Sequence, residues 1–490
     1  MPMRTLLALA ALLALPLVGA GRPAIAAPGD GVIVINSVTV IHPERAGTDA
    51  VSPATTVIVR GGRIEAVLPN AAIELPQGAT VIDGRGKYLI PGLVDSHVHF
   101  FQSGNLYTRP DAADFNAVVP YSTEVARNQA RLPYTFKVWL ASGVTGVVDI
   151  GGPFWNFEVR DRAAATAEAP EMAVAGPLIS MVDRPQLDLG DPPIIRIDSP
   201  DAARALVARQ LPRKPDYIKV WFIHRQGDDL AAQEAIVKAA GDAAHEAGLK
   251  LAVHATELVV AKAALRAGAN FLVHSVFDQP VDDEFIALIK ARDALYCPTL
   301  FVVQGYPLAL SGQWRPTPIE SLRADPQILL AMDDLTEIPA DKLPERVKKL
   351  MAEAKPGQML TSSSTVAAAP KVGMDNLRRL VDAGVTVVMG TDAGNIGTLH
   401  GPSIHREFAL MRESGLTPAE ILRTATVNGA RALGLADSAG RIAPGMRADL
   451  VLLDADPLAD VANLQRVRVV LKDGVAYEPR ELLGKGDGSN

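Results

Sequence analysis

The chain has 490 residues, with 48 Lys plus Arg against 55 Asp plus Glu and a formal net charge of −7. At 48% hydrophobic and 21% charged it has a globular composition, long enough for two or more domains or one large barrel with additions, and unlike that of a disordered or fibrous chain. The mild, evenly mixed acidity leaves no electrostatic footprint for nucleic acid, and the single cysteine, Cys297, excludes an intramolecular disulfide and any multi-cysteine metal site.

Residues 1–26 read as a signal peptide. Arg4 precedes an apolar run from Leu6 to Val18, and small residues follow at Ala24-Ile25-Ala26. The run is shorter than the roughly 20 residues that span a bilayer. No cysteine for lipid attachment and no arginine pair stands nearby. The expectation is an exported protein, periplasmic or secreted, with no membrane attachment once the signal is cleaved.

The two ends of the remaining chain share a β-rich texture. Gly31–Ile35, Thr56–Arg60 and Thr80–Asp83 at one end resemble Ala448–Leu453 and Val467–Val475 at the other, where Asp473-Gly474 signals a hairpin. Residues 27–88 and 438–490 are therefore expected to build one small β domain together. Between them, over residues 89–437, apolar β-type runs alternate with helical-period stretches. The predicted strands are Tyr88–Asp95, Gly143–Ile150, Glu171–Ala175, Tyr217–Phe222, Leu249–His254, Asn270–His274, Ala294–Thr299 and Val385–Thr391. Helices are predicted over Ala231–Ala247 and Leu258–Ala267, the second ended by Gly268. Eight strands interleaved with helices predict an α/β fold, a (β/α)8 TIM barrel with insertions. The longest insertion, 301–383, is expected to be an excursion on the substrate side.

Nine histidines carry the best chemical clue. His97 and His99 end the first strand at a spacing that points both imidazoles to one side. His254 ends Leu251-Ala-Val, His274 ends Phe271-Leu-Val, and Asp392 closes Val385–Thr391. All five sit at carboxyl ends of predicted strands, where barrel enzymes keep their catalytic groups. Converging imidazoles and a carboxylate are the usual surroundings of a divalent transition metal, most often zinc. Lys219, inside the strand Tyr217–Phe222, fits the pattern less obviously, because an ammonium has no lone pair. Two dications about 3.5–4 Å apart repel by on the order of 20 kcal/mol at an effective dielectric of 20, so they need bridging anions. A lysine carboxylated by CO2 supplies one. Lys219 is either such a ligand or a plain strand-end cation.

At this point the residues resemble the amidohydrolase superfamily of metal-dependent hydrolases. The matching stretches are Pro91–His99, Tyr217–Val220, Val253–Ala255, Val273–Ser275, Gly390–Gly394, Ala425–Arg431 and Pro444–Leu450. Within it the chain looks most like the imidazolonepropionase-related branch with Xaa-Pro dipeptidase-like and metal-dependent carboxypeptidase members. The resemblance implies a distorted barrel plus a β-sandwich built from both termini. It further implies two divalent ions, one held by His97, His99 and Asp392 and the other by His254 and His274, with N6-carboxylated Lys219 bridging. It implies a metal-bridging hydroxide attacking a small-molecule amide (a dipeptide, N-acyl amino acid or cyclic amide), with Asp392 as catalytic proton shuttle. Thr256 departs from the pattern, since many of those relatives carry a further histidine there.

His224 and Arg225 follow the Lys219 strand and are candidates to hold a substrate carboxylate. His400, in the Gly-rich stretch Gly394–Gly401, is a candidate to orient the carbonyl. A lactone or phosphoester hydrolase with the same site, a mononuclear deaminase, and a catalytically dead binding protein are the competing readings. A homo-oligomer is compatible with the sequence.

Overall fold

The apolar β-runs at the two chain ends pair with each other. In this computed structural model, which describes residues 31–70, 76–354 and 369–484, they form a single eight-stranded sheet. Its order is 475–477, 467–472, 450–453, 88–91, 32–41, 51–60 and 63–69, with 80–83 added beside 32–41. One apolar cluster, including Ile35, Val57, Leu89, Leu450 and Leu471, runs across strands from both ends. The expected signal segment 1–26 lies outside the described residues. Among the described residues no helix is long and apolar enough to cross a membrane.

The predicted strand Tyr88–Asp95 divides at Gly92. Tyr88–Pro91 pairs antiparallel with Leu450–Leu453 of the terminal sheet, whereas Leu93–Val98 pairs parallel with Val144–Asp149. The chain changes sheets here, and the crossing is tight: a Cβ on Gly92 would fall 2.0 Å from Thr145 Oγ1.

The middle of the chain forms two parallel sheets, as expected of strands joined by helical crossovers. One contains 93–98, 144–149 and 171–174. The other is ordered 194–196, 178–180, 217–221, 250–254, 271–273 and 295–297. Single parallel bridges, Ala175 with Tyr217, Tyr296 with Val387 and Val98 with Ala393, link these sheets and the segment 385–393. Alternate residues of the strands, among them Val148, Ala173, Tyr217, Ala252, Phe271 and Leu295, meet in one apolar cluster. Their neighbours Ile218, Val220, Leu251 and Val253 face the helices instead, in the largest core cluster.

Two predicted helices are seen at Leu230–Glu246 and Leu258–Arg266. The first starts where the Asp229 carboxylate accepts from the Ala231 and Ala232 N–H groups. One expectation needs correction. Val385–Thr391 is not a strand: it bonds to Tyr296 on one side and to Ser96 on the other, but without a regular ladder, and Asp392 turns it into the left-handed region at φ 63°. Two short strands, Leu178–Ser180 and Ile194–Arg196, stand in addition to the eight expected.

The excursion after Leu295–Cys297 carries helices at Val302–Leu310, Pro318–Arg323, Pro326–Asp333 and Glu345–Glu353. It packs on the loop that follows Leu93–Val98 and on the loop after Asp392, through a core that includes Leu106, Phe115, Leu310, Trp314, Val347 and Leu399. The excursion and the first of these loops leave carboxyl ends of central strands, so the excursion stands on the face where the histidines end.

Replacing Gly92 by alanine forces Thr145 or one of the two sheets to shift. Overpacking of this kind costs about 1–3 kcal/mol, and Gly92→Ala is expected to lower the thermal unfolding midpoint measured by circular dichroism.

Candidate active site

Four strands and one loop bring the six predicted ligands to one cavity of about 270 Å³, lined by His97, His99, Lys219, His254, His274 and Asp392. His97 Nε2 lies 3.3 Å from His99 Nε2, and both lie 3.2 Å from Asp392 Oδ1. A tetrahedron built on metal–ligand bonds of about 2.0–2.1 Å has edges of about 3.3 Å. His97, His99 and Asp392 therefore fit one zinc-like ion, and all three are buried. His99 Nδ1 lies 2.7 Å from the Gly151 carbonyl, which fixes the proton on Nδ1 and leaves the Nε2 lone pair facing the group.

His254 and His274 stand beside them, with ring centres 4.3 Å apart and His274 4.8 Å from His97. His254 reaches the cavity by strand alternation, two residues after the inward Ala252. His274 does not. Val273 already faces the inner cluster, so an ordinary strand would turn His274 away; its φ of 75° swings it back, and Thr299 Oγ1, 2.8 Å from Nδ1, holds it there. Left-handed backbone at a non-glycine residue costs about 1–3 kcal/mol and persists where surrounding structure enforces it.

Lys219 shares a strand face with Tyr217 and points inward, with 2% of its surface exposed. Its Nζ has no hydrogen-bond partner among the described residues, nor has Asp392 Oδ1. Burial brings the Lys219 amine down to about 7 and the His97 imidazole down to about 4. For Asp392 burial acts upward, but His97, His99 and His274 outweigh it and hold the carboxyl well below its usual range. Burial likewise lowers His254 and His274, so these imidazoles and the ionised Asp392 carboxylate are held in the forms that bind a metal.

The ligands are braced from behind. Asp95, fully buried, accepts from the backbone N–H of His97 and from both the N–H and hydroxyl of Thr391. Asp392 is backed by Asn395, which donates to its carbonyl and accepts at Oδ1 from Tyr306 and Arg109. Arg109 commits its other edge to both oxygens of Asp111 at 2.7 Å. Arg109, Tyr306 and Asn395 line the cavity with Thr256. The first three escape sequence reasoning because they lie in loops and a loop-borne helix with no periodic pattern.

The three weaker candidates lie elsewhere. His224 Nδ1 bonds to Gln233 Oε1, and Arg225 is exposed with its backbone N–H on Asp228; neither lines the cavity. Past Trp221 the chain has left the strand and runs outward to the next helix, which takes both side chains with it. His400 is buried behind the site, stacked on Phe100 at 5.2 Å with Nε2 3.2 Å from the His99 carbonyl. It supports the ligand loop and does not face substrate space.

Residues 88–476 match the amidohydrolase family. The chain is 28% identical over 400 residues to an imidazolonepropionase of Deinococcus deserti, across 79% of this chain and 83% of that protein. In three dimensions it is similar to a Xaa-Pro dipeptidase with bound methionine (22% identity, TM-score 0.67), covering 91% of this chain and 100% of the other. It is also similar to a prolidase complexed with N-methylphosphonate-L-proline (23%, 0.66), covering 91% and 99%. With that match spanning most of its length and the His97–His99–Asp392 group in place, the chain belongs to the amidohydrolase family, as a hydrolase of carbon–nitrogen bonds.

Proposed function

We propose that this chain is an exported amidohydrolase that uses two divalent ions, zinc by its nitrogen and oxygen donors, to cleave an amide in a dipeptide, an N-acyl amino acid or a cyclic amide. The observation that carries the reading is the ligand spacing of His97, His99 and Asp392 in the same cavity as the unpartnered Lys219 amine. The kinship to an imidazolonepropionase and to a Xaa-Pro dipeptidase supports that substrate range. Export rests on the layout of residues 1–26. In the domain division we favour, residues 89–437 form a distorted (β/α)8 barrel whose ring is completed by the single bridges at Ala175, Val387 and Ala393. The second domain in this division, assigned to residues 27–88 and 438–490, is the β domain built from both chain ends, and we read the eight-stranded sheet there as its folded-over, sandwich-like layer.

One ion would be held by His97, His99 and Asp392, the other by His254 and His274, with carboxylated Lys219 shared. Bound there, divalent ions acidify water and polarise the scissile carbonyl. The chain's own residues do the rest. Asp392, ionised at rest, accepts a proton at a carboxylate oxygen as water adds to the carbonyl and delivers it to the leaving nitrogen. Asn395 keeps that carboxylate oriented through its bond to the Asp392 carbonyl. The excursion contributes Val302, Val303 and Tyr306 to the cavity wall. Lys219 is suited to carboxylation: its neutral Nζ attacks the carbon of CO2, an N–C bond forms, a carbon–oxygen π pair becomes the carboxylate, and one proton leaves to solvent. An ammonium buried without a partner costs several kcal/mol, whereas a carbamate there would be an anion that bound divalent ions could neutralise.

A zinc-loaded preparation is expected to bind two ions per chain and to hydrolyse at least one member of a panel of dipeptides, N-acyl amino acids and lactams. Asp392→Asn is expected to lower kcat by about 10²–10⁴-fold, the range of general acid–base catalysis. Turnover of lactones or phosphoesters alone, or Lys219→Ala with unchanged activity and metal content, favours the alternatives of an esterase-type hydrolase or a mononuclear deaminase.

Lys219 carboxylation predicts its own pH dependence. With the amine brought down to about 7, the reactive neutral form grows as pH rises through 7. At fixed dissolved CO2, metal reconstitution of the stripped protein is therefore expected to accelerate between pH 6 and 8. A carbamate signal from ¹³C-bicarbonate should appear in the NMR spectrum and be missing in Lys219→Ala.

A further inference from the structure

The inner cavity opens into a second one. The outer cavity, of about 380 Å³, shares Arg109, Phe277, Val302, Val303 and Tyr306 with the inner, so the two are continuous. Their chemistry differs. The shared passage is largely apolar, whereas the outer wall carries three arginines, Arg109, Arg184 and Arg346, against one carboxylate, Asp111.

The arginines are not equivalent. Arg109 is spent, with two donors on Asp111 and a third on Asn395. Arg184 approaches the same carboxylate at 3.3 Å through Nε, uses Nη1 on the Asp183 carbonyl, and lies over the Trp221 ring at 4.7 Å. Arg346 donates to the Ala112 carbonyl and has no carboxylate within ion-pair distance among the described residues. Asp111 neutralises one guanidinium, which leaves a surplus of two positive charges beside an apolar channel. Arg184 comes from the segment after Leu178–Ser180 and Arg346 from the excursion helix Glu345–Glu353, and both touch the 109–112 turn. Trp221, which carries Arg184, itself lines the inner cavity.

We propose that this outer cavity is a subsite for an anionic group at the far end of the substrate, with Arg184 and Arg346 as its anchors. The substrate class it selects is an elongated amide with an apolar middle and a carboxylate at the end remote from the scissile bond. A small neutral amide leaves both arginines unused. The inference rests on the reading of the inner cavity as the cleavage site. It adds what the reaching end of the substrate must carry, and it explains why the excursion contributes a cation instead of a plain apolar lid. Guanidinium groups suit this role, because their planar donors match a carboxylate in pairs.

The test uses probes that cannot be hydrolysed, so that it stands apart from turnover. Binding of α,ω-dicarboxylates of four to ten carbons to the zinc-loaded protein is compared by calorimetry with that of ω-hydroxy acids of equal length. Each pair presents the same inner carboxylate and differs only in charge at the far end. At one or more lengths the dicarboxylate is expected to bind at least 10-fold more tightly. The Arg184→Met, Arg346→Met double variant is expected to bring that ratio to within 2-fold of unity, with Arg184→Lys, Arg346→Lys restoring part of it. A ratio near one at every length in the unmodified protein, or a ratio that the methionine substitutions leave intact, overturns the proposal. Failure of amide cleavage with the ratio intact would count against the reaction assigned to the inner cavity and not against the subsite.

Discussion

Three lone-pair donors are pressed together where no proton can satisfy them all. His97 Nε2, His99 Nε2 and Asp392 Oδ1 sit 3.2–3.3 Å apart inside the protein, and a single bridging hydrogen serves two of them at most. A cation at their centre satisfies three at once. Much of the surrounding structure makes sense as resistance to the relaxation such an arrangement invites. Asp95 ties the His97 backbone to Thr391, joining a strand end and a loop that lie far apart in the sequence. Gly390 leaves room for them: a Cβ there would lie 2.8 Å from His97 Cβ and 2.4 Å from Cys297 Sγ. Asp392 and His274 both accept left-handed backbone to aim inward. Local strain and cramped packing at one spot are what preorganisation of a charged site requires.

The scaffold divides this labour between strands and loops. The strands position His97, His99, Lys219, His254 and His274, and the loop after residue 391 adds Asp392. The terminal sheet anchors the first of those strands through the tight crossing at Gly92, immediately before the segment that ends in His97 and His99. The loops add a second core that roofs the site, in which Trp314 donates to the Gly397 carbonyl and Tyr306 reaches Asn395. Asn395 is the meeting point: it touches the ligand Asp392, the passage residue Tyr306 and the arginine Arg109. A disturbance of the roof therefore reaches Asp392 through two hydrogen bonds.

What the sequence made legible follows from where regular geometry governs. Seven of the eight anticipated strands exist within a few residues, because buried parallel strands read as short apolar runs bounded by turn residues. The eighth fails because its hydrogen bonds go to two neighbours without a repeating ladder, a pattern that apolarity alone does not reveal. Leu178–Ser180 and Ile194–Arg196 are three residues each, too short to give a period. Five of the six candidate ligands stand out by a common position at the ends of predicted strands, and the cavity gathers them with Lys219. For His274 the placement has a subtlety, since alternation would face it outward and the left-handed turn that brings it to the cavity leaves no trace in residue type. His224, Arg225 and His400 show the opposite error: closeness in sequence to a ligand strand does not bring a side chain to the cavity once the chain has entered a loop. Arg109, Tyr306 and Asn395 were out of reach for the same reason, since only the folded roof brings them together.

The same division bears on specificity. Chemistry fixed by strand ends tolerates little change, whereas the loops that cover it can be rebuilt without moving a ligand. In this chain the rebuilt parts are charged in a particular way. Thr256 puts a small hydroxyl side chain at the inner wall, where it narrows the cavity less than a histidine would. The unbalanced arginines stand farther out, on the turn after the first strand, on the segment after Leu178–Ser180 and on the excursion. Discrimination built from rim charges acts on how a substrate enters and is held, whereas the bond broken is decided by the fixed interior. A chain arranged this way can retain its reaction while changing what it admits, provided that the Asn395 junction between roof and ligand is left alone.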